Sequence, residues 1–298
     1  MMKSVLQRAK KLMPETLKGA IASCGGYDPR FHRFAGHLAN RDLSEAQFLG
    51  ICDALILPNG TRKTTGPSRN GPLVRELRDR GLLATQPHLR VLDVGASAGL
   101  DAMSTRAILD ERSKVDEYVL GDLHTAVLYD RSRGLVFDED GNLLQVRRGR
   151  GYVAMHFSYA FHFQRYTHAP KKIRPMVMRA TSARRLSPPA DAERLPIVHP
   201  ALRLGAADSP FQVRRMDVFA PIEDRFDLVI CLHLLVGRYF TPSRIDAGVQ
   251  NLSRALAVGG TLLVGAREDF RLVTRVSATE WRTVRSQDLG LGPEFGTR

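Results

Sequence analysis

The sequence predicts an α/β fold in which a mostly parallel β-sheet carries helices on both faces and ends in an antiparallel hairpin. Three observations predict it. The stretch "VLDVGASAGLDAM" (91–103) has the pattern of a strand, a glycine turn and a helix. Further short apolar segments follow, several of them ending close to an acidic residue. One of these, "FDLVICLHLL", is almost wholly apolar, as expected of a central parallel strand that is covered on both faces.

The glycine turn is the first element with a chemical implication. Residues 90–94 form the predicted strand, Gly95 and Gly99 bracket the turn, and residues 100–109 have the apolar spacing of a helix. Glycine lets the backbone approach a ligand closely, and a helix N-terminus offers N–H groups and positive potential. Several classes of nucleotide-binding enzyme use such a turn, and so do purely structural turns, so the remaining elements must decide between them.

The later elements continue the alternation of strands and helices. "EYVLGD" predicts a second strand that ends at Asp122, "FQVRRMDVF" a third that ends near Asp217, and "RFDLVICLHLL" a fourth. Thr241 and Pro242 are typical of a helix start, and we expect Gly259 and Gly260 to end that helix before a fifth strand, "TLLVG". "FRLVTRV" and "EWRTVRS" then predict the closing hairpin.

This ordered set resembles the Rossmann-like class I S-adenosylmethionine-dependent methyltransferases. The family's first motif, an acid followed by Gly-x-Gly-x-Gly, appears as "DVGASAG" with Ser97 in place of the middle glycine. Asp122 and Asp217 match the acids of its second and third strands, and "LAVGG" (256–260) matches its "LxxGG" turn. The similarity covers roughly residues 88–125 and 211–287.

The resemblance implies S-adenosylmethionine as cofactor and assigns roles to individual residues. The turn would hold the methionine moiety, Asp122 would accept hydrogen bonds from the ribose hydroxyls, and Asp217 would meet the adenine amino group. Val218 or Phe219 would lie beside the ring. The implied cofactor-binding residues are Asp93, Gly95, Ala96, Ser97, Gly99, Asp122, Asp217 and Val218. Each acid taken alone would also fit a helix cap or a turn.

A nicotinamide-binding domain is the rival interpretation of the same turn. Such a domain would favour a complete GxGxxG, which is absent here, and would not end in an antiparallel hairpin after the fifth parallel strand.

His233 is the candidate catalytic residue. Ligands of doubly wound sheets bind beyond the carboxyl ends of the strands, which places "LHLLVGRYF" at the reacting end. His233 is the evident base of that segment, although a packed histidine at a strand end is the simpler alternative. "NPPY" and "DPPY" are absent after the fourth strand, and Cys231 lacks a Pro-Cys context, so methylation of oxygen or nitrogen is expected.

Two regions lie outside the resemblance. Residues 1–85 predict an N-terminal helical region, in which Ser44 and Gln47 form a capping box ahead of an apolar stripe ending at Pro58. An insert at about 130–210 opens with a hairpin signal around Asp140 and Gly141. Aromatic and histidine residues follow it, and residues 141–190 hold ten basic residues and no acid. His156, His162 and His168 lack a carboxylate in metal-ligand register, so no metal site is expected.

Charge and composition frame the choice of acceptor. The net charge of +13 admits anionic partners, and the basic residues between 147 and 185 would serve RNA if the acceptor were a nucleic acid. A small-molecule or lipid-like acceptor is the main expectation, and a non-enzymatic basic binding protein on this fold is a third alternative. We expect residues 86–290 to form the methyltransferase domain, 291–298 a disordered tail, and the protein to be cytoplasmic because it has no signal-peptide pattern.

Overall fold

The structure is a computed structural model, and it describes residues 31, 35–39, 43–55, 57, 63, 65–148, 152–155, 187–203, 211–237 and 239–291. The aromatic and basic residues between 156 and 185, with their three histidines, lie outside the described residues. Contacts divide the chain into two compact units, one of Met1–Lys63 with Ala126–Ile197 and one of Thr64–Thr125 with Val198–Arg298. No helix among the described residues is both long and apolar enough to span a membrane.

The second unit contains the mixed sheet that the sequence predicts. Its strands are β1 (His88–Val94), β2 (Lys114–Asp122), β8 (Phe211–Arg215), β9 (Phe226–Leu232), β10 (Leu256–Ala266), β11 (Asp269–Arg275) and β12 (Trp281–Arg285). Its helices are α2 (Gly71–Asp79), α3 (Leu100–Asp110), α4 (Pro200–Arg203) and α5 (Pro242–Arg254), with a 3₁₀ turn at Ser286–Leu289.

The strand order of this sheet is β12-β11-β10-β9-β1-β2-β8. The five strands from β8 to β10 run parallel, whereas β11 and β12 are antiparallel to their neighbours. The fold class and the closing hairpin are therefore as predicted. Apolar side chains fill both faces of β1: Val91 belongs to one buried cluster, and Leu92 and Val94 belong to the other. This two-sided burial explains why the central strands have almost no polar alternation.

One predicted boundary in this unit is wrong. The last long helix, α5, ends at Arg254 instead of continuing to Gly259 and Gly260, which lie within β10. The register of β10 against β9 shifts between Leu256 and Thr261, and a Cβ on Gly260 would lie 2.9 Å from the Phe226 carbonyl oxygen. The glycine pair thus allows the backbones of β9 and β10 to approach closely. A pattern that indicates the end of a helix does not reveal this role.

The first unit contains a separate antiparallel sheet. Its elements are α1 (Glu45–Asp53), β3 (Ala126–Asp130), β4 (Leu135–Phe137), β5 (Leu143–Arg148), β6 (Tyr152–Met155) and β7 (Glu193–Pro196), with a 3₁₀ turn at Ala35–Ala39. The strand order is β6-β5-β4-β3-β7. The predicted capping box of Ser44 and Gln47 is present at the start of α1. The predicted hairpin is β4–β5, and the Asp138 carboxylate organises its turn by accepting from the backbone N–H groups of Asp140 and Asn142.

Candidate functional site

The parallel strands of the second unit create a topological switch point. From β1 the chain proceeds to β2 and β8 on one side of the sheet and later to β9 and β10 on the other side. Loops that leave β1 and β9 therefore diverge, and the region beyond the carboxyl ends of these two strands is where sheets of this kind form a ligand-binding crevice. All the residues proposed from the sequence lie on or directly after the carboxyl ends of β1, β2, β8 or β9.

The glycine turn adopts the conformation that its sequence suggests. Gly95, Ser97 and Gly99 all have positive φ, of 75°, 59° and 82°. A Cβ at Gly99 would lie only 2.3 Å from Cδ1 of Leu202, so any side chain at this position would have to displace the buried Leu202 side chain. Ser97, which replaces the middle glycine of the motif, is held in the left-handed region at a cost of roughly 1 kcal/mol. The turn delivers the chain into α3, whose N-terminus begins at Leu100.

Asp122 joins the second strand to this turn. Its Oδ2 accepts a hydrogen bond from the backbone N–H of Ser97 at 2.9 Å, and its Oδ1 accepts one from the backbone N–H of His124 at 3.0 Å. A carboxylate oxygen can accept about two hydrogen bonds. Asp122 is therefore oriented by two backbone N–H groups, one on each carboxylate oxygen.

Two further carboxylates surround the same turn. Asp93 lies near the end of β1 and accepts a hydrogen bond from the Tyr118 hydroxyl at 3.3 Å. Burial and, to a lesser extent, the charges of Asp101 and Asp122 together raise the pKa of Asp93 to about 7, against the lowering effect of that hydrogen bond. The turn is thus a site of negative potential in which Asp93 is only half ionised near neutral pH.

Asp101 belongs to this cluster although sequence reasoning missed it. It lies in the first turn of α3, where it accepts hydrogen bonds from the backbone N–H of Asn70 at 2.9 Å and from its Nδ2 at 2.6 Å. Burial raises the pKa of Asp101, and the bonds from Asn70 oppose that rise. The available signal was an acid directly after the glycine turn, a position that also favours acids for the helix dipole alone.

Asp217 and Val218 follow the third parallel strand, β8. The Asp217 carboxylate accepts from the backbone N–H of Phe219 at 2.9 Å, and Asp217 itself is exposed. The Val218 side chain is buried in the core, whereas Phe219 is partly buried. Phe219 packs edge-on against Phe240, and the Arg244 guanidinium lies 3.6 Å from its ring centre. Of the two residues proposed to flank the adenine, Phe219 is thus the more accessible.

His233 is placed directly after β9, on the opposite side of β1 from Asp122. Its backbone N–H donates to the Gly265 carbonyl oxygen at 2.6 Å, and its φ is 64°, a strained value for a residue with a side chain. Its Nε2 is buried and has no hydrogen-bond partner among the described residues. Burial lowers the pKa of His233 to about 4; the charges of Arg69 and Arg267 act in the same direction and that of Glu268 opposes them.

The structure therefore brings the sequence-predicted residues to one edge of the sheet in two groups. The first group lies on or directly after β1 and the two strands on one side of it, and it consists of Asp93, the glycine turn, Asp122 and Asp217. His233 occupies the other side. Backbone strain and an unpartnered buried nitrogen at His233 are features that cluster at functional positions.

Comparison with known proteins gives matches among solved structures alone. No protein-family model and no curated protein sequence matches the chain. The chain is similar to the methyltransferase CalH in complex with S-adenosyl-L-homocysteine, at a TM-score of 0.34 and 14% identity over 80% of this chain and 46% of that one. It is also similar to the N-methyltransferase NodS from Bradyrhizobium japonicum, at a TM-score of 0.30 and 13% identity over 79% of this chain and 72% of that one.

A third match is an amino pentose methyltransferase from Micromonospora echinaspora, at a TM-score of 0.30 and 14% identity over 73% of each chain. The chain spans about half the length of some of the solved structures that it matches: 55% of a methyltransferase from Methanococcus maripaludis and 46% of CalH.

Proposed function

We propose that the protein is an S-adenosylmethionine-dependent methyltransferase that moves a methyl group to oxygen or nitrogen of a small-molecule or lipid-like acceptor. One observation carries the proposal: Asp93, Asp101 and Asp122 surround the glycine turn, and their mutual repulsion contributes to the raised pKa of Asp93. A dinucleotide would bring a pyrophosphate dianion to this turn, where the carboxylates would repel it. A sulfonium and an ammonium group bring positive charge, which the carboxylates stabilise.

The residues present fit the cofactor along its length. Asp122 offers a carboxylate that the backbone of the turn orients, the kind of acceptor that ribose hydroxyls require. Asp217 offers an exposed carboxylate for an exocyclic amine, and Phe219 offers an aromatic surface beside it. The positive φ angles of Gly95 and Gly99 keep the backbone of the turn close to whatever lies in the crevice.

The chemistry of the reacting end needs little from the protein beyond alignment and a proton acceptor. When bound, S-adenosylmethionine supplies an activated methyl group that passes in line to a nucleophile. His233 remains neutral because its pKa is lowered to about 4, so the imidazole is a weak base that can accept a hydrogen bond from an acceptor hydroxyl or amine across the neutral pH range. Its unpartnered buried Nε2 is a suitable atom for that hydrogen bond, which would orient the nucleophile.

Calorimetric titration with S-adenosylhomocysteine tests the proposal. We expect one site per chain in the wild type and, because a charge-assisted bond to the ribose is lost, an affinity reduced about tenfold or more in Asp122→Asn. Asparagine preserves the size of the side chain but has only one acceptor oxygen, so it keeps one of the two backbone bonds from Ser97 and His124, and thermal melting of the variant verifies that it is folded. Asp246→Asn is the matched control, since Asp246 is exposed on α5. Absence of binding to the wild type would refute the proposal.

A further inference from the structure

A short segment outside the strands is hydrogen-bonded to two elements at the carboxyl-terminal edge of the parallel sheet. At one end, the backbone N–H of Ser68 donates to Oγ of Ser104 at 3.0 Å, and Asn70 is bound to Asp101 at the start of α3. At the other end, Nη1 of Arg267 donates to the carbonyl oxygen of Arg69 at 2.8 Å. Arg267 lies in the turn between β10 and β11. Residues 68–70 are thus bonded both to α3, which follows β1, and to the turn that follows β10, and β9 lies between β1 and β10 in the sheet.

That position brings two guanidinium groups to the same end of the sheet as His233. Gly265, whose carbonyl oxygen accepts from His233 N–H, is two residues before Arg267. The bond from Arg267 to the Arg69 carbonyl places these two residues side by side. Within the described part of the chain, the Arg69 guanidinium takes part in no ion pair, and the residue is exposed.

The electrostatic balance at this point is positive. The pKa of Arg69 is lowered, first by partial burial of its guanidinium and then by the charge of Arg267, against the opposing effects of Asp101, Glu268 and Tyr239. At His233 the lowering effect of Arg69 alone exceeds the raising effect of Glu268, and Arg267 adds to it. The net effect of these three charged groups at His233 is therefore positive.

We propose that Arg69 and Arg267 bind an anionic group of the methyl acceptor, a carboxylate or a phosphate, and so hold its nucleophilic atom beside His233. Guanidinium groups bind both anions through paired N–H donors, which fixes orientation as well as charge. The inference rests on the proposed function, because it names the substrate class of that site. The acids assigned to the nucleoside lie on β2 and after β8, across β1 from the turn that contains Arg267, and Arg69 is bonded to that turn, so the arginines are placed for the acceptor and not for the nucleoside.

Anion titrations at constant ionic strength test this inference. Benzoate and inorganic phosphate are the two probes, and they distinguish a carboxylate from a phosphate site; each is titrated by calorimetry with and without S-adenosylhomocysteine. We expect at least one probe to bind saturably, and its affinity to fall about tenfold or more in Arg69→Gln and in Arg267→Gln through loss of a charge-assisted pair. Arg282→Gln removes the same charge from exposed β12 and should bind like the wild type.

The outcomes separate this inference from the proposed function. If S-adenosylhomocysteine binds and neither anion does, or if the three variants lose equal affinity, the anion site is refuted while the cofactor site stands. If Arg69→Gln weakens S-adenosylhomocysteine instead of the probes, the guanidinium holds the cofactor's own carboxylate and the inference is also refuted. Since Arg69 is exposed, its substitution leaves the fold intact, and thermal melting of each variant verifies that. Titrations without the cofactor keep the anion result valid even if the cofactor does not bind.

Discussion

At the scale of single residues, His233 combines a strained backbone, a buried unpartnered Nε2 and a pKa lowered to about 4. NMR titration of the histidine ring protons, with His233→Gln used to assign the signal, measures this pKa directly. We expect His233 to titrate near 4, well below its ordinary value, because burial and two guanidinium charges disfavour the imidazolium. A midpoint between about 6 and 7, the range of an unperturbed imidazole, would contradict the described environment.

The lowered pKa of His233 makes the stability of the folded protein depend on pH. Between its ordinary value of 6.5 and about 4, the unfolded chain binds a proton at His233 that the folded protein does not. The contribution of His233 to the free energy of unfolding therefore decreases as the pH falls through this window. His233→Gln should reduce that pH dependence, which urea unfolding at about pH 4.5 and about pH 7 would reveal.

The pKa of Asp93 shifts in the opposite direction to that of His233, and substitution of Asp93 should stabilise the folded protein. Its pKa is raised to about 7 from 3.8, so the folded protein keeps a proton that the unfolded chain loses as the pH rises, and stability is lost through that range. Asp93→Asn resembles the protonated acid. We expect a higher melting temperature than the wild type at about pH 8, with the difference vanishing below about pH 4.

Thermal melts at the two pH values, with Asp246→Asn as control, test that prediction. If Asp93→Asn and the wild type had equal melting temperatures at the higher pH, ionised Asp93 would not destabilise the folded protein and the prediction would be wrong. A destabilising ionised carboxylate beside the turn is the property expected of a site that binds a cation.

At the scale of elements, the glycine turn depends on the missing side chain at Gly99. A Cβ there would meet Leu202 at 2.3 Å in addition to the strain of φ at 82°. Gly81 has a similar φ, of 68°, but a Cβ there would have no neighbouring atom within 4 Å. We expect Gly99→Ala to cost about 2–4 kcal/mol of unfolding free energy and Gly81→Ala about 1 kcal/mol, because only the first adds overpacking to strain. Urea denaturation of both variants measures the difference, and equal losses would contradict the close packing of the turn.

The elements around the site could be predicted from the sequence because their signals are local. Strand β1, the turn and α3 follow from apolar spacing and from Gly95 and Gly99. Residues 68–70 could not be placed, because their position depends on bonds to Asp101 and Arg267 that are distant in the chain. The boundary of α5 was wrong for the same reason, since Gly259 and Gly260 serve a contact with β9.

At the scale of the whole molecule, the succession of strands along the second unit could be predicted and the grouping of the remaining chain could not. The hairpin signal of the insert is confirmed as β4–β5, but no pattern in the sequence indicates that β3 and β7 join it in a sheet of five strands. Pairing between Ala126 and Pro196 joins residues 70 positions apart, which no local pattern reports. The division into a core, an N-terminal helical region and an insert remains a proposal.

The central claim is that the crevice at the glycine turn favours a cationic sulfonium nucleoside and rejects a dinucleotide. Calorimetric titration of the wild-type protein at about pH 8, where Asp93 is mostly ionised, tests it most directly, with S-adenosylmethionine in one experiment and NAD⁺ in the other. We predict saturable binding of S-adenosylmethionine at one site per chain and no heat of binding from NAD⁺ over the same concentrations. Saturable binding of NAD⁺ with no response to S-adenosylmethionine would contradict it.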